Sequence, residues 1–143
     1  MYKYSKSSEL QLASCHIDLQ LIFRSILHSI DHTIIEGYRD QVTQEQYFKE
    51  GKSKVHYPDG KHNKTPSMAV DVAPFPIDWE DHLRFTYFAG FVMATAYQLK
   101  ANNHLINTVR WGGDWNMDMN FANNKFNDLV HFELIEPKNY YEE

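Results

Sequence analysis

The sequence predicts an α+β fold, a small antiparallel sheet packed with helices. Two observations carry it. Long apolar stripes at helical spacing alternate with short β-branched or alternating runs, and those runs are bounded by Gly, Pro and Asn/Asp turn signals. With 143 residues, 43% of them hydrophobic and 15% aromatic, the chain has the material for one core. A single domain over 1–143 is expected.

Ser8 opens "SELQ", a capping-box pattern with Gln11. Leu12, Cys15, Leu19, Ile22, Ile26 and Ile30 then recur at three- and four-residue steps, which predicts one helix to about Ser29. Cys15 lies in that stripe and reads as a small core residue. "TIIE" (Thr33 to Glu36) is a short strand ended by Gly37, and "VTQEQYFKEG" is a helix stopped by Gly51. Lys52 to Pro66 is polar and turn-rich, a long surface loop of the kind that often carries function.

"MAVDVAP" is the next strand, with Ala69, Asp71 and Ala73 on one face and Val70 and Val72 on the other. Asp78 is expected to cap the main packing helix, Trp79 to about Ala101. Gly90 inside it costs about 1 kcal/mol against alanine, which close packing would offset. "NTVRW" is a further strand, followed by the turn-rich "GGDWNMDMNFANNKFND". The last strand is "HFELI", with His131 and Glu133 on one face and Phe132 and Leu134 on the other.

Composition excludes several classes. A formal net charge of −5 without a Lys/Arg stripe opposes nucleic-acid binding. No apolar run is long enough to span a bilayer, and "MYKYSKSSELQ" lacks the apolar stretch of a secretory signal. A lone cysteine forms no intramolecular disulfide and no multi-cysteine zinc site, so any metal must rely on histidine and carboxylate.

Asp71 poses the chemical question. A carboxylate between two valines is costly to bury unless a partner or a cation meets it. His62, from the loop, and His131, from the last strand, would complete three nitrogen or oxygen ligands, the number that leaves a catalytic zinc an open position. The competing reading is a hydrogen-bonded core histidine and an aspartate that satisfies loop amides. Asp128, three residues before His131 in "DLVH", suits a general base beside the metal, or equally a turn aspartate opening the strand. Trp111 and Trp115 flank the glycine pair and read as core or as cleft wall. Glu133 is either a partner of His131 or exposed to solvent.

The segments "IIEGYRDQVTQEQYFKEGKSK", "HNKTPSMAVDVAP", "RWGGDW" and "FNDLVHFEL", in this order, resemble the small phage-type LAS zinc peptidases. That group includes L-alanyl-D-glutamate and D-Ala-D-Ala peptidases, which cut peptidoglycan stem peptides. Its pattern is S-x-H-x-x-G-x-A-x-D, then a carboxylate three residues before a final His. Here Gly60 replaces the serine, Pro66-Ser67 lies near the glycine, and two extra residues separate His62 from Asp71. His56 is therefore a competitor for the first ligand.

The resemblance implies a hedgehog/D-Ala-D-Ala-peptidase-like fold, zinc on His62, Asp71 and His131, Asp128 as general base and Arg39 as the substrate-clamping arginine. Gln46 matches a recurrent position and reads as loop support. The expected protein is a phage endolysin made in the host cytoplasm without a signal peptide, and nothing in the sequence demands more than a monomer. It would reach the wall at lysis and need no separate wall-binding domain. Two alternatives stay open, a D,D-carboxypeptidase or dipeptidase and an inert zinc-stabilised wall-binding module. A nuclease suggested by "KHNK" is opposed by the acidic balance. Finally, Asp114, Asn116, Asp118 and Asn120 alternate as ligands do at the start of a calcium loop, although Met119 and Lys125 stand where an EF-hand needs glycine and glutamate. The expectation is a looser Ca2+ site or an Asn/Asp-rich turn.

Overall fold

The computed structural model describes residues 1–136, so positions 137–143 of the expected domain lie outside the described residues. The N-terminal stripe forms two helices where one was expected. α1 (Lys6–Ala13) is capped by the hydroxyl of Ser5, which accepts the amide of Ser8. α2 (Ile17–Ile26) is capped by Nδ1 of His16, which accepts the amide of Asp18. Between them the backbone pairs with Ser67. Ser67 N donates to Ser14 O and His16 N to Ser67 O, both at 2.9 Å, and these bonds replace those of a continuous helix. Ser8, the expected cap, is buried inside α1 and bonds the backbone of Ile34 instead. The stripe itself survives the break: Leu12, Cys15, Leu19, Ile22 and Ile26 all enter the core.

Four strands follow, β1 (His32–Glu36), β2 (Ala69–Pro74), β3 (Thr108–Trp111) and β4 (His131–Ile135). They form one sheet in the order β1-β2-β4-β3, antiparallel at every pairing. α3 (Gln41–Lys49) lies between β1 and β2 and stops before Gly51, whose φ of 76° is a left-handed conformation that glycine adopts freely. The long loop contains a single 3-10 turn, Lys61–Asn63. α4 (His82–Ala101) packs on α2 and on β2 and β3. Its cap is Asp81, which accepts the amide of Arg84; Asp78 is spent in the preceding turn on the amide of Glu80. A Cβ built on Gly90 would meet no atom within 4 Å, so the close packing expected there is absent.

The strand alternation sorts the sheet into two faces. Ile34, Val70, Val72, Val109, Trp111, Phe132 and Leu134 join the helices in the core. Asp71, His131, Glu133 and Arg110 alternate with them. Asp71 sits opposite His131 in the ladder, and Glu133 opposite Arg110. Glu36 belongs on the core face by alternation from Ile34. The register shifts between the two, however, so that Ile34 opposes Val72 while Glu36 opposes Asp71. This bulge at Ile35 re-aims Glu36 toward the polar row. Asp18 ties α2 to the turn before β3, because its Oδ2 accepts the amides of Ile106 and Asn107 and the side chain of Asn107.

Candidate metal centre

The polar face of the sheet gathers His62, Asp71 and His131. One ligand atom from each lies within 4.8 Å of the others, close enough to share an ion. Asp71 and His131 arrive by strand register. His62 arrives on the 3-10 turn, held because Arg39 N donates to His62 O and His62 Nδ1 meets Gly37 O at 2.7 Å. Gly37 is itself confined, since a Cβ there would fall 2.3 Å from Gln11 O. His56, the competitor, is exposed and bonded to Glu45, which leaves His62 in the cluster.

The hydrogen bonds set each ring for coordination. His62 donates Nδ1–H to the Gly37 carbonyl, so Nε2 carries the lone pair. That atom is buried and makes no hydrogen bond, although Asp71 Oδ1 lies 3.2 Å away. An orphaned buried acceptor facing a carboxylate is what a cation would satisfy. His131 places Nε2 2.8 Å from Glu133 Oε1 and Nδ1 3.2 Å from Asp71 Oδ1. Two imidazole nitrogens and one carboxylate oxygen therefore converge, and the set fits zinc.

Electrostatics agree with this reading. Burial alone would raise the Asp71 carboxyl, but the His62 and His131 rings beside it outweigh that effect and hold Asp71 well below the usual carboxylate range. Burial likewise opposes the ionised forms of Glu133 and His131. Bonds to His131 and Arg110 nevertheless take Glu133 down from 4.5 to about 2, and bonds to Asp71 and Glu133 take His131 up from 6.5 to about 9.

The sign of each shift gives a prediction for the metal-free protein. A lowered carboxyl adds stability that is complete above 4.5 and lost as pH falls through 2. A raised imidazole adds stability that is complete below 6.5 and lost as pH rises through 9. The pair thus contributes fully between 4.5 and 6.5. Urea midpoints measured across pH are expected to peak in that window and to flatten in a Glu133→Gln variant. An unchanged profile in the variant would refute the assignment.

Asp128 stands on the same cleft, a cavity of about 580 Å3 that is also lined by Arg39, Tyr47, Trp115 and the three candidate ligands. Burial and the Asp71 charge raise its carboxyl above the usual range, against the opposing charges of His131, His62 and Arg39. Its backbone is pinned to the glycine pair: Asp128 N donates to Gly112 O at 3.0 Å, and His131 N to Asp128 O at 3.1 Å. A Cβ on Gly112 would fall 2.1 Å from Asp128 O, too close for any side chain. Gly112→Ala is therefore expected to cost about 1–3 kcal/mol, as overpacking does, and to displace Asp128. Thermal melts and turnover of the variant check this, and wild-type values for both would refute it.

Arg39 is buried and faces the cluster, with Nη2 3.8 Å from Asp71 Oδ2. Glu36 binds its Nε and Nη2, Gln44 Oε1 accepts from Nη1 at 3.1 Å, and the guanidinium lies over the Tyr47 ring. The loop-supporting glutamine is thus Gln44, which also donates to Ser53 and Val55 O. Gln46, the position expected for that role, is one helical face away and bonds Glu50 at the surface. Sequence spacing gave no signal for Gln44. Arg110 was also missed, although a charge alternating with Val109 and Trp111 in a strand is a cue for a cross-strand partner.

Trp111 is core and Trp115 is cleft wall, its ring centroid 5.4 Å from that of His131. The calcium expectation finds no support. Asp118 accepts from the Asn120 amide and from the side chains of Asn116 and Asn123. Asn116 and Asn120 cap the amides of Asp118 and Ala122, and Asp114 that of Met119. These oxygens build an Asx-type turn. A separate apolar cavity of about 390 Å3 lies between α4 and this turn, away from the histidines.

A His2Asp cluster opening on a cleft beside a raised carboxylate is the equipment of a metal-dependent hydrolase. The comparisons with known proteins narrow that class. Residues 1–135 match the family model of phage L-alanyl-D-glutamate peptidases. The L-alanyl-D-glutamate peptidase of Escherichia phage T5 is 32% identical over 120 residues, covering 80% of this chain and 82% of that protein. The crystal structure of the Serratia marcescens L-Ala D-Glu endopeptidase ChiX matches with a TM-score of 0.71 at 24% identity, over 94% of this chain and 90% of the other, which establishes a shared fold. The chain belongs to the phage L-alanyl-D-glutamate peptidase family.

Proposed function

We propose that this chain is a zinc-dependent peptidoglycan peptidase that hydrolyses the L-alanyl–D-glutamate bond of stem peptides and acts as a phage endolysin. The observation that carries the reading is the convergence of His62 Nε2, Asp71 Oδ1 and His131 Nδ1 on one point of a cleft that Asp128 also lines. Family membership supports the bond and the biological setting.

His62, Asp71 and His131 would hold the zinc, which when bound would supply a Lewis acid and make water more acidic. Asp128 is the general base. It takes the proton of the attacking water and returns it to the amine nitrogen as the peptide bond breaks, and its raised carboxyl suits both transfers. Arg39, its plane held by Glu36 and Gln44, presents positive charge to the carbonyl oxygen as that oxygen becomes negative. Trp115 and Tyr47 wall the cleft around the peptide. No described helix is long and apolar enough to cross a membrane. The enzyme is read as reaching the wall on release at lysis.

Digestion of purified peptidoglycan tests the proposal. Mass spectrometry should find new L-alanine carboxyl ends and D-glutamate amine ends, absent after chelation and restored by zinc. Release of terminal D-alanine instead would establish the D,D-peptidase alternative. Zinc binding with no new ends would leave an inert module.

A further inference from the structure

We infer that Glu133 and Arg110 form a positioning pair that orients the His131 imidazole for metal binding; the inference rests on the metal reading above. Strand register brings the three together. His131 and Glu133 are two apart on β4 and share a face, and Arg110 on β3 lies directly opposite Glu133. Glu133 is only 5% exposed, and both its oxygens are used: Oε1 faces His131 Nε2 at 2.8 Å, and Oε2 accepts from Arg110 Nη2 at 2.7 Å.

Committing Nε2–H to Glu133 leaves Nδ1 as the metal-facing atom, on the Asp71 side of the ring. A carboxylate on the far nitrogen also makes an imidazole a stronger donor to a metal. The same task at His62 falls to the Gly37 carbonyl, which no side-chain substitution removes. The Glu133 arm is therefore the part of this support that mutation can reach.

Arg110 holds the carboxylate in turn. Its guanidinium carbon lies 5.6 Å from the Trp115 ring centroid, and Trp115 packs on His131, so the three side chains brace one another. Arg110 Nε is buried without a partner, an uncompensated donor left where the guanidinium reaches Glu133. An ion pair that merely joined β3 to β4 would support the fold but not the metal.

The test measures zinc affinity by chelator competition for wild type, Glu133→Ala, Glu133→Gln and Arg110→Gln, with metal-free melting curves alongside. NMR of the zinc-loaded proteins follows the His131 Nε2–H proton. Glu133→Ala is expected to weaken zinc binding about 10–100-fold, the range for lost outer-sphere partners, and to expose that proton to exchange with water. Glu133→Gln keeps an accepting oxygen and should retain the proton signal with a smaller loss of affinity. Arg110→Gln should weaken binding in the same direction by less than Glu133→Ala.

Variants that bind zinc within about twofold of wild type, with the proton still protected, would overturn the inference even if their melting points fall. If Glu133→Ala does not fold, the Gln variants decide by the same criterion. A wild type that binds no zinc would overturn the metal reading itself, a result distinct from equal binding by all variants.

Discussion

Asp128→Ala is expected to slow peptidoglycan hydrolysis about 10²–10⁴-fold, the usual contribution of a general acid–base group, while zinc content stays at the wild-type level. The separation of the two readouts follows from geometry. Asp128 lines the cleft but is not one of the three converging ligands. Its contacts to the fold run through its backbone, to Gly112 and His131, and the alanine variant keeps them. Burial and the nearby Asp71 charge already resist its ionisation, so removing the carboxylate relieves strain and should not destabilise the protein. End-group release and metal analysis on the same preparation check the prediction. Loss of zinc with activity would make Asp128 a ligand, and retained activity would remove it from the mechanism.

Asp71→Asn is expected to abolish activity by a different route, through the metal. The substitution keeps the volume and one oxygen but removes the charge that meets both histidines, His62 Nε2 and His131 Nδ1 each lying 3.2 Å from Oδ1. Loss of a direct ligand charge should weaken zinc binding by at least about 100-fold, the upper end of what outer-sphere partners alone contribute. The same change removes one of the two carboxylates within 4 Å of the Arg39 guanidinium, Glu36 being the other. Breaking such a buried arrangement costs about 3–5 kcal/mol at most, so the metal-free variant should also unfold at lower urea. Chelator competition and urea titration measure the two effects independently. Wild-type zinc affinity in the variant would exclude Asp71 as a ligand.

Much of this site was legible in the chain. Asp71 announced itself because a carboxylate interrupts a run of strand-forming residues, and period-2 alternation correctly put Asp71 on the face opposite Val70 and Val72. The same alternation placed His131 and Glu133 together. The α+β class followed from periodicity, and the apolar stripe from Leu12 to Ile26 named core residues correctly across an unforeseen break. That break was hidden because periodicity reports which side chains are buried and not whether the backbone between them is continuous. The cap at Asp81 and the glutamine at Gln44 were missed by a few residues for a related reason. Several polar side chains near a helix start are chemically equivalent until the surrounding amides are located.

Local sequence thus pointed to much of the core and to the polar strand faces that carry Asp71, His131 and Glu133, because burial and alternation act over a few residues. Tertiary structure decided the rest. It chose His62 over His56 through the Gly37 carbonyl, turned Glu36 toward Asp71 with a bulge, and set Arg110 against Glu133. Each of these outcomes depends on atoms far apart in the chain meeting within a hydrogen bond's length, and that distance is set only when the strands pair.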